Sequence, residues 1–268
     1  MNITLLTNRD LASHLALSYL SKRLKGHNFS LFISERVGAE QKLPAELVEL
    51  ALFERELLND GRPSFTQLAE QLGCQLQDFA DCDNQINTPT GLGKILLSQP
   101  DLIICVRFGL ILQQPVIDLP RYGVINLHSG SLPHYRGVMA TFRAMLNEDA
   151  EMGSTLHYID NSKIDNGPVI GIASVPLKTE VSYTLNVLNL YHSGCENLIS
   201  AVNQISRGDQ LKQTEQTKEG CYYSFPSQEE LSQFHLKGNK LFNRSEIDTI
   251  NHLYDQFETN SESPAGLG

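Results

Sequence analysis

Residues 123–137 read GVINLHSGSLPHYRG, and the fold turns on how this stretch changes character. Gly123, Val124 and Ile125 start an apolar run of strand type, and at Asn126 the chain switches to donors, acceptors and a titratable ring. Side chains alternate faces along a strand, so Asn126 and His128 point one way while Leu127 turns back into the core. Gly130 and Pro133 then break regular pairing. Polar groups that leave the end of a buried strand into a loop sit where open α/β sheets place their ligands, so the stretch predicts a site.

Upstream, residues 101–112 (DLIICVRFGLIL) are nearly continuous in apolar character, as a strand covered on both faces should be. Arg107 interrupts the run, either paired with a carboxylate at the strand exit or in contact with a ligand. Residues 3–7 read as a first buried strand, followed by a helix capped by Asn8 or Asp10 with Leu11, Leu15, Tyr19 and Leu24 at helical spacing. Residues 29–34 form a second strand, and the strand, helix, strand order predicts a crossover unit with parallel neighbours. The turn after the first strand, residues 7–10, has neither GxGxxG nor GxxxxGK, so the usual glycine cradle for a dinucleotide or a nucleoside triphosphate is missing. An acidic helix is expected over residues 43–60, started by Pro44 and carrying Leu47, Leu50, Leu57 and Leu58 on one face. A helix at 65–72, a short strand at 74–79, a solvated polar turn at 81–84 and helices at 90–97 and 115–119 complete this half.

Downstream, residues 137–146 read as a helix, and 153–159 (GSTLHYI) alternate as a strand with Thr155 and His157 on one face. His157 by itself reads as a satisfied structural residue. The loop 160–167 concentrates two carboxylates and a lysine just before another apolar strand at 168–175. Ser182 then caps one long helix carrying Leu185, Leu188, Cys195, Leu198 and Val202. Beyond Gly208 the composition shifts to Gln, Glu, Lys and Ser, with a short aromatic strand at 221–225, two modest helices near Glu229 and Glu246, and an end at 260–268 of disordered character.

The 268 residues, 41% of them hydrophobic, suffice for one large domain with a small appendage. No apolar run reaches the roughly 20 residues that cross a bilayer, and Met1 runs straight into strand-like sequence, which predicts a chain without a leader. Five cysteines without CxxC spacing fit structural thiols in a reducing cytoplasm. The excess of 31 acidic over 21 basic residues, net charge −10, weighs against a broad phosphate-binding surface and so against nucleic acid.

Taken together, Asn126-x-His128, then Leu132-Pro133-x-Tyr135-Arg136-Gly137, then Asp165 with Gly167 two residues on and an apolar strand, resemble the signature of the folate-dependent formyltransferases. That superfamily includes glycinamide ribonucleotide formyltransferase, the catalytic domain of methionyl-tRNA formyltransferase and the sugar N-formyltransferases. The likeness covers residues 1–205. It implies a Rossmann-like α/β fold with a mostly parallel central sheet flanked by helices, residues 206–268 being a small C-terminal extension. It also implies one-carbon chemistry, the transfer of a formyl group from N10-formyltetrahydrofolate to an amine, with Asn126, His128 and Asp165 as the catalytic set. No metal is required. The pterin is expected against Phe108, Gly109, Leu110 and Ile111, with the loop bearing Asp160, Ile164 and Asp165 closing over it.

These residue types suit the reaction. When a neutral amine attacks the formyl carbon, the carbonyl oxygen becomes an oxyanion, and donors held at that point stabilise it more in the transition state than before. The amide of Asn126 and a protonated His128 can donate, and Asp165 favours the imidazolium and can carry a proton from the attacking amine towards N10. Two departures from the family pattern bear on the site: Ser131 stands where many relatives are apolar, and His157 and Asp165 are one position further apart than is commonest, which puts the reach of Asp165 in question.

For the acceptor, the missing phosphate turn argues against glycinamide ribonucleotide, and the segment after Gly208 is too short and too helical for the C-terminal barrel of methionyl-tRNA formyltransferase. A small amine is expected, either an amino sugar nucleotide or an amino-acid derivative. The helix at 44–60 is placed to shape the acceptor site or a homo-oligomer contact. Two other readings stay open: a formyltetrahydrofolate hydrolase using the same site, and a non-catalytic folate-binding protein.

Overall fold

The computed structural model describes residues 1–35, 43–217 and 219–259; the expectation of disorder at 260–268 falls outside them. The first half of the chain builds a parallel sheet by successive crossovers. Strand β1 (Asn2–Asn8) leads through helix α1 (Leu11–Arg23) to β2 (Asn28–Ser34), and α2 (Ala45–Leu58) and α3 (Phe65–Gln71) lead to β3 (Leu76–Asp78). Helix α4 (Pro89–Leu97) returns the chain to β4 (Leu102–Val106), and the short α5 (Gln114–Ile117) precedes β5 (Val124–His128). Caps mark the helix starts: the Asp10 carboxylate accepts from the Ser13 N–H, and Ser64 with Gln67 forms a capping box on α3.

The second half adds β6 (Tyr135–Gly137), α6 (Ala140–Leu146), β7 (Glu151–Ile159), β8 (Val169–Pro176), α7 (Tyr183–Asn189) and α8 (Tyr191–Ser206). Then follow β9 (Cys221–Tyr223), α9 (Gln228–Leu236) and α10 (Ile247–Thr259). The main sheet runs β3-β2-β1-β4-β5-β7-β8, parallel as far as β5, with β7 and β8 antiparallel. The mostly parallel α/β architecture is therefore as the sequence implied. Every residue of β4 is buried, as helices on both faces of a parallel sheet require, whereas edge strand β8 alternates between half-buried and exposed.

Three expected elements come out differently. The apolar run at 101–112 is a strand only to Val106, because Arg107 adopts φ +56° and turns the chain out of the sheet. The helix expected from 137 starts at Ala140. Residues 135–137 instead form β6, which pairs in parallel with β9 in a small second sheet. The long helix after Ser182 is two helices: at Leu190 the N–H bonds to the Val187 carbonyl, three residues back, and the ladder of four-residue bonds is interrupted.

Described residues after 206 pack on the body of the molecule. The rings of Phe142 on α6 and Phe234 on α9 stack at 4.4 Å, both fully buried, and the N–H groups of Tyr183 and Thr184 donate to the carbonyls of Lys240 and Leu241. Two such rings taken out of water contribute on the order of 4 kcal/mol, and α9 is thereby fixed against the helix that follows the polar stretch.

Candidate functional site

In this sheet β1 lies between β2 and β4, so the strand order reverses there, and the carboxyl ends of β1 and β4 flank a crevice. Strand β5 lies next to β4 and ends in Asn126, Leu127 and His128. Across the β5–β7 ladder Asn126 faces His157 and His128 faces Thr155, so all four side chains share one face of the sheet. Thr155 serves the turn: its hydroxyl donates to the Gly130 carbonyl (2.7 Å) and accepts from the Leu132 N–H (3.1 Å). A Cβ on Gly130 would come within 2.6 Å of His128 Nε2, so only glycine lets this turn fold back over the imidazole.

Asp165 completes the constellation from the loop between β7 and β8. Its Oδ2 accepts from the Gly137 N–H (2.8 Å) and lies 3.4 Å from His128 Nδ1; its Oδ1 lies 3.3 Å from Asn126 Nδ2 and 3.4 Å from His157 Nε2. The backbone at Asp165 is left-handed, φ +51°. Its reach is intact. The side chain is almost wholly buried, which by itself would raise its pKa, but the adjoining His128, then His157 and the Gly137 N–H, outweigh burial and hold it at about 2. A full negative charge thus sits between two imidazoles at any physiological pH.

The imidazole hydrogen bonds constrain the protons. His128 Nε2 lies 2.7 Å from the Tyr135 carbonyl, which can only accept, so Nε2 carries hydrogen and a second proton on Nδ1 would bridge to Asp165. His157 Nδ1 donates to the Tyr158 carbonyl (2.8 Å), which leaves Nε2 either to accept from Asn126 (3.1 Å) or, protonated, to donate to Asp165. Both donor-bearing groups, Asn126 and His128, are therefore engaged by protein acceptors, and an incoming carbonyl oxygen gains a donor by exchange with one of them. By sequence alone His157 reads as structural. Only the register that sets it opposite Asn126 brings it into the site.

The residues expected to hold a pterin divide. Gly109, Leu110 and Ile111 line a pocket of about 410 Å3 together with residues 84–88 and Gln113. Phe108 instead faces the Phe79 ring at 6.1 Å. Asp160 and Ile164 lie in the loop after β7 and are not among the residues lining that pocket, Ile164 being 37% exposed. A second cleft, of about 800 Å3, opens at the carboxyl ends of β1 and β2 against α2 and α3, with Asp10, Glu35, Glu54, Arg55 and Arg62 on its walls. Arg107 takes the carboxylate alternative: its Nε donates to Asp10 (2.7 Å), and its Nη1 reaches the Ser129 hydroxyl (3.4 Å) beside His128. Glu54 accepts from the Leu11 N–H, and its carboxyl is pushed up to about 7 by burial and by Asp10, against the pull of Arg107. The expected helix at 44–60 does form a wall of this cleft, as α2.

Among the described residues, no group of three or more His, Cys, Asp or Glu could hold a metal ion, and no helix is long and apolar enough to cross a membrane.

Residues 70–194, which contain Asn126, His128, His157 and Asp165, match the family model described as formyl transferase. The methionyl-tRNA formyltransferase of Ralstonia nicotianae is 37% identical over 127 residues, 47% of this chain and 38% of that protein. That of Macrococcus caseolyticus is 27% identical over 193 residues, 71% of this chain and 58% of that protein. The chain thus spans only about two fifths to three fifths of the length of these relatives. Among solved structures, the N-formyltransferase from Helicobacter canadensis in complex with folinic acid and dTDP-3-aminofucose aligns with a TM-score of 0.57 at 15% identity, over 84% of this chain and 71% of that one. The glycinamide ribonucleotide transformylase 1 from Symbiobacterium toebii aligns with a TM-score of 0.57 at 13% identity, over 80% and 94%. At such identities these two establish a shared fold. The resemblance read from the NxH, LPxYRG and DxG motifs is borne out.

Proposed function

Starting from the formyl transferase character of residues 70–194, we propose that this chain transfers a formyl group from N10-formyltetrahydrofolate to the amine of a small acceptor, an amino sugar nucleotide or an amino-acid derivative. The observation that carries the reading is the convergence of Asn126 (3.3 Å) and His128 (3.4 Å) on the two carboxylate oxygens of an ionised Asp165. The acceptor nitrogen attacks the formyl carbon and the carbonyl electrons move to oxygen. That oxyanion takes a hydrogen bond from the Asn126 amide or the His128 imidazolium, in exchange for one now made to Asp165 or Tyr135. Collapse of the intermediate breaks the bond from carbon to N10. The proton lost by the amine passes through Asp165, directly or by way of a water, to N10 of the departing tetrahydrofolate. Asp165 as base needs no pKa near 7 if its task is relay within a closed network; its carboxylate also lies 3.4 Å from His128 Nδ1 and can accept a hydrogen bond from a proton-bearing Nδ1.

In this reading the pocket of Gly109, Leu110 and Ile111 receives the pterin, and Asp160 and Ile164 close over the folate from the loop after β7. The charged cleft at the ends of β1 and β2 takes the acceptor. The hydrogen-bonded run from Asp10 through Arg107 to Ser129 joins that cleft to the catalytic group. No metal takes part. Residues 1–205 form the catalytic domain, residues 206–268 an extension, and the enzyme works in the cytoplasm. The sequence likeness to methionyl-tRNA formyltransferases favours a second reading, in which the acceptor amine belongs to an aminoacyl ester.

The deciding experiment incubates the protein with N10-formyltetrahydrofolate and a panel of amino sugar nucleotides, amino acids and aminoacyl-tRNA, and follows the mass gain of one formyl group. Formylation of a small amine supports the first reading and of aminoacyl-tRNA the second. Tetrahydrofolate release that needs no amine marks a hydrolase, and folate binding without turnover a binding protein; either result sets the transferase aside.

A further inference from the structure

Asp165 reaches the site through an uncommon backbone conformation, and a non-glycine residue with positive φ persists only where its surroundings over-determine it. The side-chain contacts of its carboxylate do not explain what holds the main chain. That hold comes from outside the motif, from residues 214–217 and 221–223, two stretches that together strap both halves of the site. Thr214 and Val169 exchange backbone hydrogen bonds (2.8 Å each), which ties the strap to the start of β8. Further on, β9 pairs with β6, the Val138 N–H donates to the Tyr223 carbonyl, and a Cβ on Gly137 would lie 2.1 Å from that oxygen. The same Gly137 donates its N–H to the Asp165 carboxylate.

Midway along the strap is Gln216. Its Nε2 donates to the main-chain carbonyls of Asp165 (3.0 Å) and Gly167 (2.7 Å), and both of its amide hydrogens are thereby used. Its Oε1 accepts from Nε and Nη2 of Arg136 (3.3 and 3.0 Å), and Arg136 Nη2 also donates to the Thr217 carbonyl (3.2 Å). Arg136 thus fixes which way the amide faces, and the amide fixes the turn that bears Asp165. A glutamine can satisfy two carbonyls and a guanidinium at once; a carboxylate of the same length could serve only the guanidinium, since it has no hydrogen to donate.

We propose that Gln216 is a positioning residue for Asp165: it holds the left-handed turn from behind, so that the carboxylate stays against Gly137, Asn126 and His128, and the strap from the C-terminal extension is in this sense part of the site. The catalytic consequence rests on the formyl transfer reading above; the structural claim does not.

The test therefore uses readouts that need no acceptor. In Gln216→Met, which keeps length and loses every polar contact, hydrogen exchange at the Gly137 amide should speed up by about tenfold or more, and carbon-detected NMR titration of the Asp165 carboxyl should show its midpoint rise by about a unit or more. Melting temperature measured alongside separates this from general loosening. Gln216→Glu keeps the Arg136 contact and loses both donors, and it should expose the Gly137 amide to a similar extent; it also decides the matter if the Met variant does not fold. Retained protection in Gln216→Glu, or an unmoved Asp165 midpoint in Gln216→Met, overturns the proposal, because either would mean that the Arg136 tether or the carboxylate's own contacts suffice. Where an acceptor is in hand, kcat should fall about tenfold with the KM for the folate little changed. Failure of the wild-type protein to formylate anything would remove the functional reading and leave the NMR outcome to judge Gln216.

Discussion

Replacing Asp165 by Asn removes one buried charge while keeping the side chain's shape, and the geometry sets the size of the response. The carboxylate accepts from the Gly137 N–H and stands between two imidazoles, and its pKa is lowered from 3.8 to about 2. A folded-state pKa below the unfolded one means that the unfolded chain binds the proton more readily between those two values. The group's stabilisation is therefore complete above the unfolded value and lost as pH falls through about 2. At about 1.36 kcal/mol per pH unit this is about 2 kcal/mol at neutral pH. Urea unfolding of wild type and Asp165→Asn at intervals from pH 2 to pH 6 should show a stability gap that is about 2 kcal/mol wider above pH 5 than at pH 2. Turnover, once an acceptor is known, should fall on the order of 10² or more at every pH. A gap that does not change with pH would refute the ion-pair account of the site. Full activity in the variant would refute the proton relay.

Two substitutions probe the donors: Asn126→Ala and His128→Ala should each lower kcat on the order of 10² or more, while folate binding, followed by fluorescence or calorimetry, changes little. Glu54 titrates the other way from Asp165. Its pKa is raised to about 7, so the folded state favours the neutral acid, and stability is lost as pH climbs from the ordinary carboxyl range through about 7. Glu54→Gln should flatten that loss in unfolding experiments between pH 5 and pH 8, and an unchanged slope would show that the Arg107 contact already cancels the effect. Phe234→Ala, which opens the stack against Phe142, should cost about 3 to 5 kcal/mol in chemical denaturation and release α9; a loss below about 1 kcal/mol would mean that the extension contributes little to the fold.

Much of this molecule was legible along the chain because its signals are local. Apolar runs such as LIICV, a capping Asp10 and Ser182, and the break at Gly130 each act within a few residues, and the elements they predict are present. The misread pieces share a cause. The run 101–112 looks like one strand because nothing local announces that Arg107 will leave the sheet to meet Asp10, nearly a hundred residues earlier in sequence. The helix reads as starting at Gly137 rather than Ala140, and no strand is read at 135–137, because the partner that makes them one, β9, lies more than eighty residues further along.

Asn126 and His128 stand out by type and spacing at a strand end, and Asp165 joins them in the sequence only through the motif order that resembles the folate-dependent formyltransferases. His157 and Gln216 do not stand out, for neither residue differs from a surface or core neighbour until something stands opposite it. What puts His157 against Asn126 is the antiparallel register of β7 on β5, and what puts Gln216 behind Asp165 is the pairing of a distant strap. Sequence by itself determined which groups were available for the chemistry and which strands would be buried, because propensity and side-chain identity belong to single residues. Which of those groups meet, at what distance and in which charge state, was decided by the tertiary structure alone, because pairing register, burial and Coulomb interaction are properties of residues brought together from far apart in the chain.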